Sequence, residues 1–395
     1  MGQYSSEHNA ERRYERLSEN PREESLIDAL EKHYVKSTVD WDELPDKVML
    51  YIDHDELTSL IESVRDIMGP MGLEKEGIMS GPAQRELLYG GRDTITVGKL
   101  KALLDIVGIP HYEMNHFIYA IGEPYNPYAI NNPRLPFNFD SEAGAILLAA
   151  ALKDGTIHES KKFRGYWFAY YNKNEENRER VKEAMRRVFG DVEPHKSEEG
   201  NRISYHSHAI VSTLKKMGVP VGEKVVQNYH VPEVVREGNV NIKRVYLRQT
   251  MMDEGSWDPE RHHLCYSQAR ALDIGELSNE DKEYLDGILQ EKGEYPTGYA
   301  RRQVCLSEDV EKKIRGEHPE LWEAIKRSEP PFLEEEMDML EEVCSVRPKP
   351  KPKDIYATTD GEYRVSWRID VTRRKDYDEV VKGLGLPRDK RRRRR

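Results

Sequence analysis

Two stretches about a hundred positions apart repeat one pattern. AILLAAALKDGTIH runs from Ala145 to His158, and VYLRQTMMDEGSW runs from Val245 to Trp257. Each is an apolar helical run that closes on an acid, Asp154 or Glu254, then a glycine and a few strand-forming residues. A chain that builds the same acid-tipped helix twice is strongly constrained in what it builds around it.

The downstream order repeats as well. After Asp154, Thr156-Ile157 and the aromatic run YWFAYY (166–171) read as strands. EENRERVKEAMRRVFG (175–190) is an amphipathic helix closed by glycine, RISYHSH (202–208) a strand, and AIVSTLKKMG (209–218) a helix with a glycine stop. After Glu254, GSW and HHLCYSQA (262–269) read as strands. A Glu- and Lys-rich insertion over 275–328 follows. FLEEEMDMLEEVCS (332–345) is then a helix, DIYATT and YRVSWRIDV are strands about the Asp360-Gly361 turn, and DYDEVVKGLGLP (376–387) is a helix. LKKMGVP and VKGLGLP close the two halves in near copy. An αββαββα unit used twice fits both.

Internal duplication on this scale makes a pseudo-dimer whose first helices meet on the two-fold axis. The Ala-rich surface from Ala143 to Ala151 suits close approach, although alanine is also the best helix former. Side by side, the helices bring Asp154 and Glu254 together. Two close carboxylates repel unless one is protonated or a cation lies between them. Hard oxygen ligands select Mg2+ or Ca2+, and such a site beside a polyanion suits phosphodiester hydrolysis. The alternative is that both acids simply end a surface helix before a turn glycine.

Composition narrows the class. The 395 residues suffice for two or three domains, and 37% apolar with 34% charged residues marks a soluble chain. No apolar run approaches the roughly 20 residues that span a bilayer, and the charged N-terminus lacks a signal-peptide core. Three distant cysteines and no CxxC pair imply a reducing, cytoplasmic setting without a disulfide framework. His206, His208 and His230, or His262, His263 and Cys265, are the only candidate zinc groups, and neither spacing closes a tetrahedral site. The phosphate loop, GxSxG and HExxH motifs are absent. The net charge of −11 conceals a basic C-terminus, with 13 Lys and Arg against 6 acids from Gly361 to Arg395. That tail attracts polyanions or serves only solubility.

The domain reading follows. Residues 1–40 are charged and poorly patterned. A mostly helical region covers 41–130, in which TITVGKLKALLDIVGIPHYEMNHFIYAIG (94–122) fits a helix-turn-helix or a plain helical hairpin. The two units occupy 131–234 and 235–390, and 391–395 is a basic tail. The fold class is α+β, with two pseudo-symmetric αββαββα units after a mostly helical N-terminal region.

At its acid-tipped helices the chain resembles the LAGLIDADG homing endonuclease family. LLAAALKDG (147–155) and LRQTMMDEG (247–255) each match the nine-residue motif loosely, with Asp154 and Glu254 where the family places metal-binding catalytic acids. GVPVGEKVVQNYHVP (218–232) is similar to the family segment that carries an active-site lysine, here Lys224. GLGLPRDKR (383–391) places Lys390 or Arg391 in the equivalent part of the second half. The resemblance spans roughly 133–391 and implies saddle-like antiparallel sheets along the DNA major groove. It implies a single-chain monomer acting as a pseudo-dimer, Mg2+ held by Asp154 and Glu254, and lysine support of the transition state.

DNA contacts are then expected from the strands. The first hairpin offers Lys161, Lys162, Arg164, Tyr166, Tyr170 and Lys173. The second offers Arg261, His262, Tyr266, Gln268 and Arg270, and the last strands offer Arg364, Trp367, Arg368, Arg373 and Arg374. Any one of these also suits an ordinary solvated strand face. The favoured activity is metal-dependent, site-specific cleavage of double-stranded DNA. Two alternatives stand beside it: a non-cleaving DNA-binding regulator and a maturase acting on structured intron RNA. Both acids are present, which favours cleavage; Lys153 and Gln249, where the family has smaller residues, favour binding alone.

Overall fold

The computed structural model describes residues 35–122, 130–160, 165–196, 200–292 and 300–387. Lys161, Lys162, Arg164, Lys390 and the basic tail lie outside the described residues. The described residues from Ser37 onward form one compact unit.

The N-terminal part carries β1 (Thr38–Val39), β2 (Met49–Ile52), α1 (His54–Met68), α2 (Gly72–Lys75), α3 (Gly81–Tyr89), β3 (Thr94–Thr96), α4 (Val97–Val107), β4 (Ile118–Gly122), β5 (Ile130–Asn131) and β6 (Phe137–Asn138). Helix outweighs strand here, and the helices back a four-stranded antiparallel sheet ordered β3-β2-β4-β5. The helix-turn-helix expected over 94–122 is not formed. After α4 and Gly108 at φ 72, His111–His116 makes a 3-10 turn. Ile118–Gly122 is then a strand, pairing Ile121 with Leu50 on β2. The apolar residues Ile118 and Ile121 are buried in both readings, but an open sheet edge with β-branched residues to pair on it wins over a second helix. β1 pairs with β6, tying this part to the start of the first repeat.

The first repeat runs α5 (Glu142–Leu152), β7 (Gly155–Ser160), β8 (Gly165–Tyr171), α6 (Glu175–Phe189), β9 (His195–Lys196), β10 (Arg202–Tyr205) and α7 (His208–Lys216). Its antiparallel sheet is ordered β7-β8-β10-β9. Local signals set the ends. Ser141, Asn174 and Ser207 cap α5, α6 and α7 through their side chains, and Gly190 stops α6 at φ 109. A short helix α8 (Glu233–Arg236) leads into the second repeat.

That repeat runs α9 (Val240–Glu254), β11 (Gly255–Asp258), β12 (His263–Ala271), then α10 (Asn279–Lys292), β13 (Ala300–Cys305), α11 (Glu308–Glu317) and α12 (Pro319–Arg327). It closes with α13 (Pro331–Cys344), β14 (Lys351–Thr358), β15 (Tyr363–Val371) and α14 (Arg374–Leu384). The sheet order β11-β12-β15-β14-β13 repeats the first, with β13 added at one edge. The segment 275–328 thus contributes three helices on the chain and one strand in the sheet.

Register makes the duplication exact at its most informative point. Gly155 pairs with Tyr170, and Gly255 pairs with Tyr266. The two motif helices, α5 and α9, pack against each other. Ala149, Ala150 and Gln249 are fully or almost fully buried there, so the tight crossing accommodates one long polar side chain. Each sheet buries one face under its helices. Phe168, Tyr170, Ile203 and Tyr205 supply that face in the first repeat, and Trp257, Leu264, Tyr266 and Ile369 in the second.

Candidate active site

The two motif helices end side by side in polar groups that cross between the repeats. Tyr170 Oη donates to Asp253 Oδ1 at 2.6 Å, and Gln249 Nε2 donates to the same oxygen at 2.9 Å. Asn172 Nδ2 lies 2.8 Å from Asp154 Oδ2 and 3.2 Å from Asp253 Oδ1. One amide nitrogen therefore touches the last acid of the first motif and the penultimate acid of the second. The helix ends converge as the sequence repeat requires.

Gly155 makes the turn out of α5 possible, since a Cβ there would meet the Ala150 carbonyl oxygen and Ala151 Cα at 2.7 Å. Gly255 is equally crowded, 2.5 Å from the Met251 carbonyl oxygen. Asp154 and Glu254 thus leave their helices at equivalent points, both half-buried.

Electrostatics mark the convergence. Burial, reinforced by the charges of Asp253 and then Glu254, pushes the Asp154 carboxyl up to about 8 from its ordinary 3.8. The Asn172 hydrogen bond and the Lys224 charge oppose that shift. Tyr170 is pushed up as well, first by burial and then by Asp253. A cation placed among these acids would relieve the repulsion, so the hard oxygen donors of Asp154 and Glu254 fit Mg2+ or a similar ion.

Lys224 is at this site, its ammonium held by backbone carbonyls. Its Nζ donates to the carbonyls of Leu152 (2.8 Å), Lys153 (2.6 Å) and Gly155 (2.6 Å), with Ala151 O at 3.2 Å. It satisfies the bare carbonyl end of α5, where the helix dipole favours a cation. Burial draws the ammonium down to about 8, and Glu254 is the foremost charge pulling it back up. So many acceptors require the three N–H groups of the charged form. Lys224 thereby holds the turn that carries Asp154. α9 has a smaller counterpart, Asn177 Nδ2 donating to Met252 O at 3.2 Å.

The residues just before the motif acids each reach into the opposite repeat. Asp253 meets Tyr170 and Asn172 of the first. Lys153 meets the second, its Nζ 2.8 Å from Glu336 Oε1 with both side chains fully buried. The ammonium also lies 4.1 Å from the Phe332 ring centre. Tyr246 donates to Glu336 Oε1 at 3.0 Å, and Tyr266 donates to its other oxygen. Lys153, bulky where a small residue was expected, is thus accommodated by a dedicated carboxylate.

Several expected DNA-contacting residues are engaged elsewhere. Tyr170 and Tyr266 lie on the helix-covered sheet faces, bonded to Asp253 and Glu336. Trp367 is buried on the same side, donating to Ser328 Oγ at 3.1 Å. Arg270 is buried and donates to the Lys224 carbonyl oxygen at 3.3 Å, to Gln227 O and to Asn228 Oδ1. It clamps the segment that carries Lys224. Tyr166 stacks on His208 of α7 at 3.7 Å, and Gln268 is half-buried in register with Trp367. On the open faces or turns stand Lys173, Arg261, Arg373 and Arg374, all exposed, with His262 half-buried against Tyr377. Arg368 is on the open face, and Arg364 is there too, held 2.5 Å from Glu223 Oε1 across the repeats.

Strand parity explains these placements. Phe168 is core, so Tyr166 and Tyr170 share its face, while Trp167 and Tyr171 face outward. The open face of the first sheet carries a row of rings that alternation in YWFAYY does not single out. His158 stacks on Trp167 at 3.9 Å, Trp167 lies 6.0 Å from His206, and His206 lies 5.4 Å from His195. Arg202 sits 5.3 Å from the Tyr171 ring centre on the same face. The buried core residue in YWFAYY was the signal that could have found them.

No family model matches the sequence, and no curated protein matches it. Among solved structures, the chain is similar to I-DmoI in complex with DNA and Mn, at 12% identity over 63% of this chain and 99% of that one, TM-score 0.34. It is similar to the homing endonuclease I-WcaI bound to its DNA recognition sequence, at 13% identity over 62% and 81%, TM-score 0.28. The LAGLIDADG homing endonuclease I-LtrWI bound to target DNA gives 9% identity over 63% and 84%, TM-score 0.26. At these values the likeness carries no inference about the activity of this chain.

Proposed function

We propose that this protein is a metal-dependent, site-specific endonuclease of double-stranded DNA, a single chain acting as a pseudo-dimer. The observation that carries the reading is the meeting of the two motif ends, with Asp154 driven up to about 8 by burial and by the acids of the other repeat. A carboxyl so raised and beside further carboxylates, half-open to solvent, suits a cation-binding reactive site better than a structural role.

In this reading Asp154 and Glu254 hold Mg2+. Bound there, such an ion would supply charge neutralisation at a phosphodiester and a more acidic water. Asp154 must first shed its proton. Asn172 orients the Asp154 carboxyl, and Lys224 fixes the backbone from which it projects. Tyr170, Gln249 and Asn172 hold Asp253 on its own donors, so its charge acts on Asp154 from a fixed place. DNA lies along the open sheet faces, against Trp167 and its imidazole neighbours on one side and Arg368 and Lys351 on the other.

The non-cleaving regulator is the second reading, because the Lys224 ammonium is occupied by backbone carbonyls at and just beyond the end of α5. The discriminating experiment is Mg2+-dependent nicking of a DNA library by the intact protein, Asp154→Asn and Glu254→Gln. Cleavage lost in both variants with binding kept supports the endonuclease. Binding without cleavage by the intact protein supports the regulator.

A further inference from the structure

We propose that the open face of the second sheet holds a second, chemically different cation, of the zinc class, between His263, Cys265 and Asp370. Cys265 on β12 lies directly opposite Asp370 on β15. His263, two residues earlier on β12, shares their face. Among the described residues, these three alone form a group of metal-ligand side chains whose donor atoms already lie within 4.8 Å of one another. His263 Nε2 is 2.9 Å from Asp370 Oδ1. The sequence conceals the group, since Asp370 is 107 positions from His263.

The donor set decides the ion. One imidazole nitrogen, one thiol sulfur and one carboxylate oxygen suit Zn2+ at tetrahedral distances of roughly 2.0–2.3 Å, with a fourth position for water. Mg2+ avoids sulfur and is matched instead to Asp154 and Glu254. Cys265 is a half-buried free thiol, near enough to the surface for an ion to reach.

Arg368 is the competitor. Its guanidinium donates to Asp370 Oδ1 at 2.7 Å and lies 3.2 Å from His263 Nε2. It places one positive charge where the ion's charge would go. Ion and guanidinium therefore compete for one carboxylate, and binding frees Arg368 to swing outward. A plain Arg–Asp–His surface network has no use for the thiol, so the two explanations part at Cys265.

The test uses Co2+ as the probe, titrated into the full chain with a thiol-free reductant present. A thiolate-to-cobalt absorption band in the near ultraviolet, displaced by Zn2+ and not by Mg2+, is the expected result. Cys265→Ser removes the band, and Cys305→Ser keeps it. His263→Asn weakens Co2+ binding at least about tenfold. Arg368→Met tightens it, by up to about fivefold, as loss of an exposed ion pair allows. Asp154→Asn leaves the band unchanged, which separates this site from the acid pair. Absence of the band, or its persistence in Cys265→Ser, overturns the proposal. Should Cys265→Ser not fold, unchanged affinity in His263→Asn overturns it equally.

Discussion

Lys153 shows how one residue against the pattern is made compatible with the fold. Its charge is fully buried, and it is sustained by Glu336, by the two tyrosine hydroxyls that bond that carboxylate, and by the Phe332 ring. Removing one partner of such a pair leaves the other charge uncompensated. Lys153→Met is expected to cost about 3–5 kcal/mol in urea unfolding. Arg187→Met breaks the exposed Arg187–Glu183 pair, 2.9 Å long, and changes stability by less than about 0.5 kcal/mol. The sequence marks Lys153 as unusual. It could not name Glu336, because the partner sits 183 positions away on a helix of the other repeat.

Asp154 carries a pH dependence with a definite sign. Its folded value of about 8 lies above the ordinary 3.8, so the folded state binds a proton that the unfolded state has already lost. Its contribution to stability is full below about 4 and is lost as pH rises through about 8. In the metal-free protein, Asp154→Asn is expected to raise the thermal midpoint at pH 8.5 relative to the parent and to leave it nearly unchanged at pH 4 (about the ordinary carboxylate range). Equal shifts at both values would remove Asp154 as the titrating group. The acid itself was legible in the sequence. Asp253, Asn172 and Tyr170, which set its chemistry, were not, because their convergence depends on how the two repeats meet.

At the scale of elements, the repeat was the most legible feature. Apolar periodicity and glycine stops located α5, α6, α7, α13 and α14 close to their observed spans, and the C-terminal end of α9, which begins five residues earlier than the motif run. The helix-turn-helix failed because Ile118–Gly122 finds β2 as a sheet partner, which no local pattern announces. Strand parity was ambiguous for a related reason. YWFAYY is aromatic on both faces, so alternation alone does not say which side is covered. The structure resolves it, with Phe168 fully buried and Tyr171 exposed. Trp167→Ala is accordingly expected to weaken binding of duplex DNA by about 1 kcal/mol or more, as truncation of a large interface aromatic does, with little change in thermal stability. Tyr170→Phe acts instead through Asp253 and the acid site, leaving binding nearly intact. Fluorescence anisotropy with a library-selected duplex separates the two.

For the whole molecule, the repeats are joined by polar groups as well as by apolar packing. Lys224, from the first repeat, is held by Arg270 of the second while it caps the helix that delivers Asp154. Glu335 on α13 accepts from Arg236 and lies 2.9 Å from His230, fastening the connection between repeats. Such crossing contacts make the acid site a property of the assembled chain, not of either half. Among the described residues, no helix is long and apolar enough to cross a membrane.

The central claim is that Asp154 and Glu254, one from each repeat, serve one shared divalent ion. Mn2+ binding measured by calorimetry on the intact chain, Asp154→Asn, Glu254→Gln and the double variant tests it most directly. A shared ion predicts a hard-ligand site that each single change nearly abolishes, with the double variant no worse than the weaker single. Additive losses, or a site that survives either substitution, would contradict it.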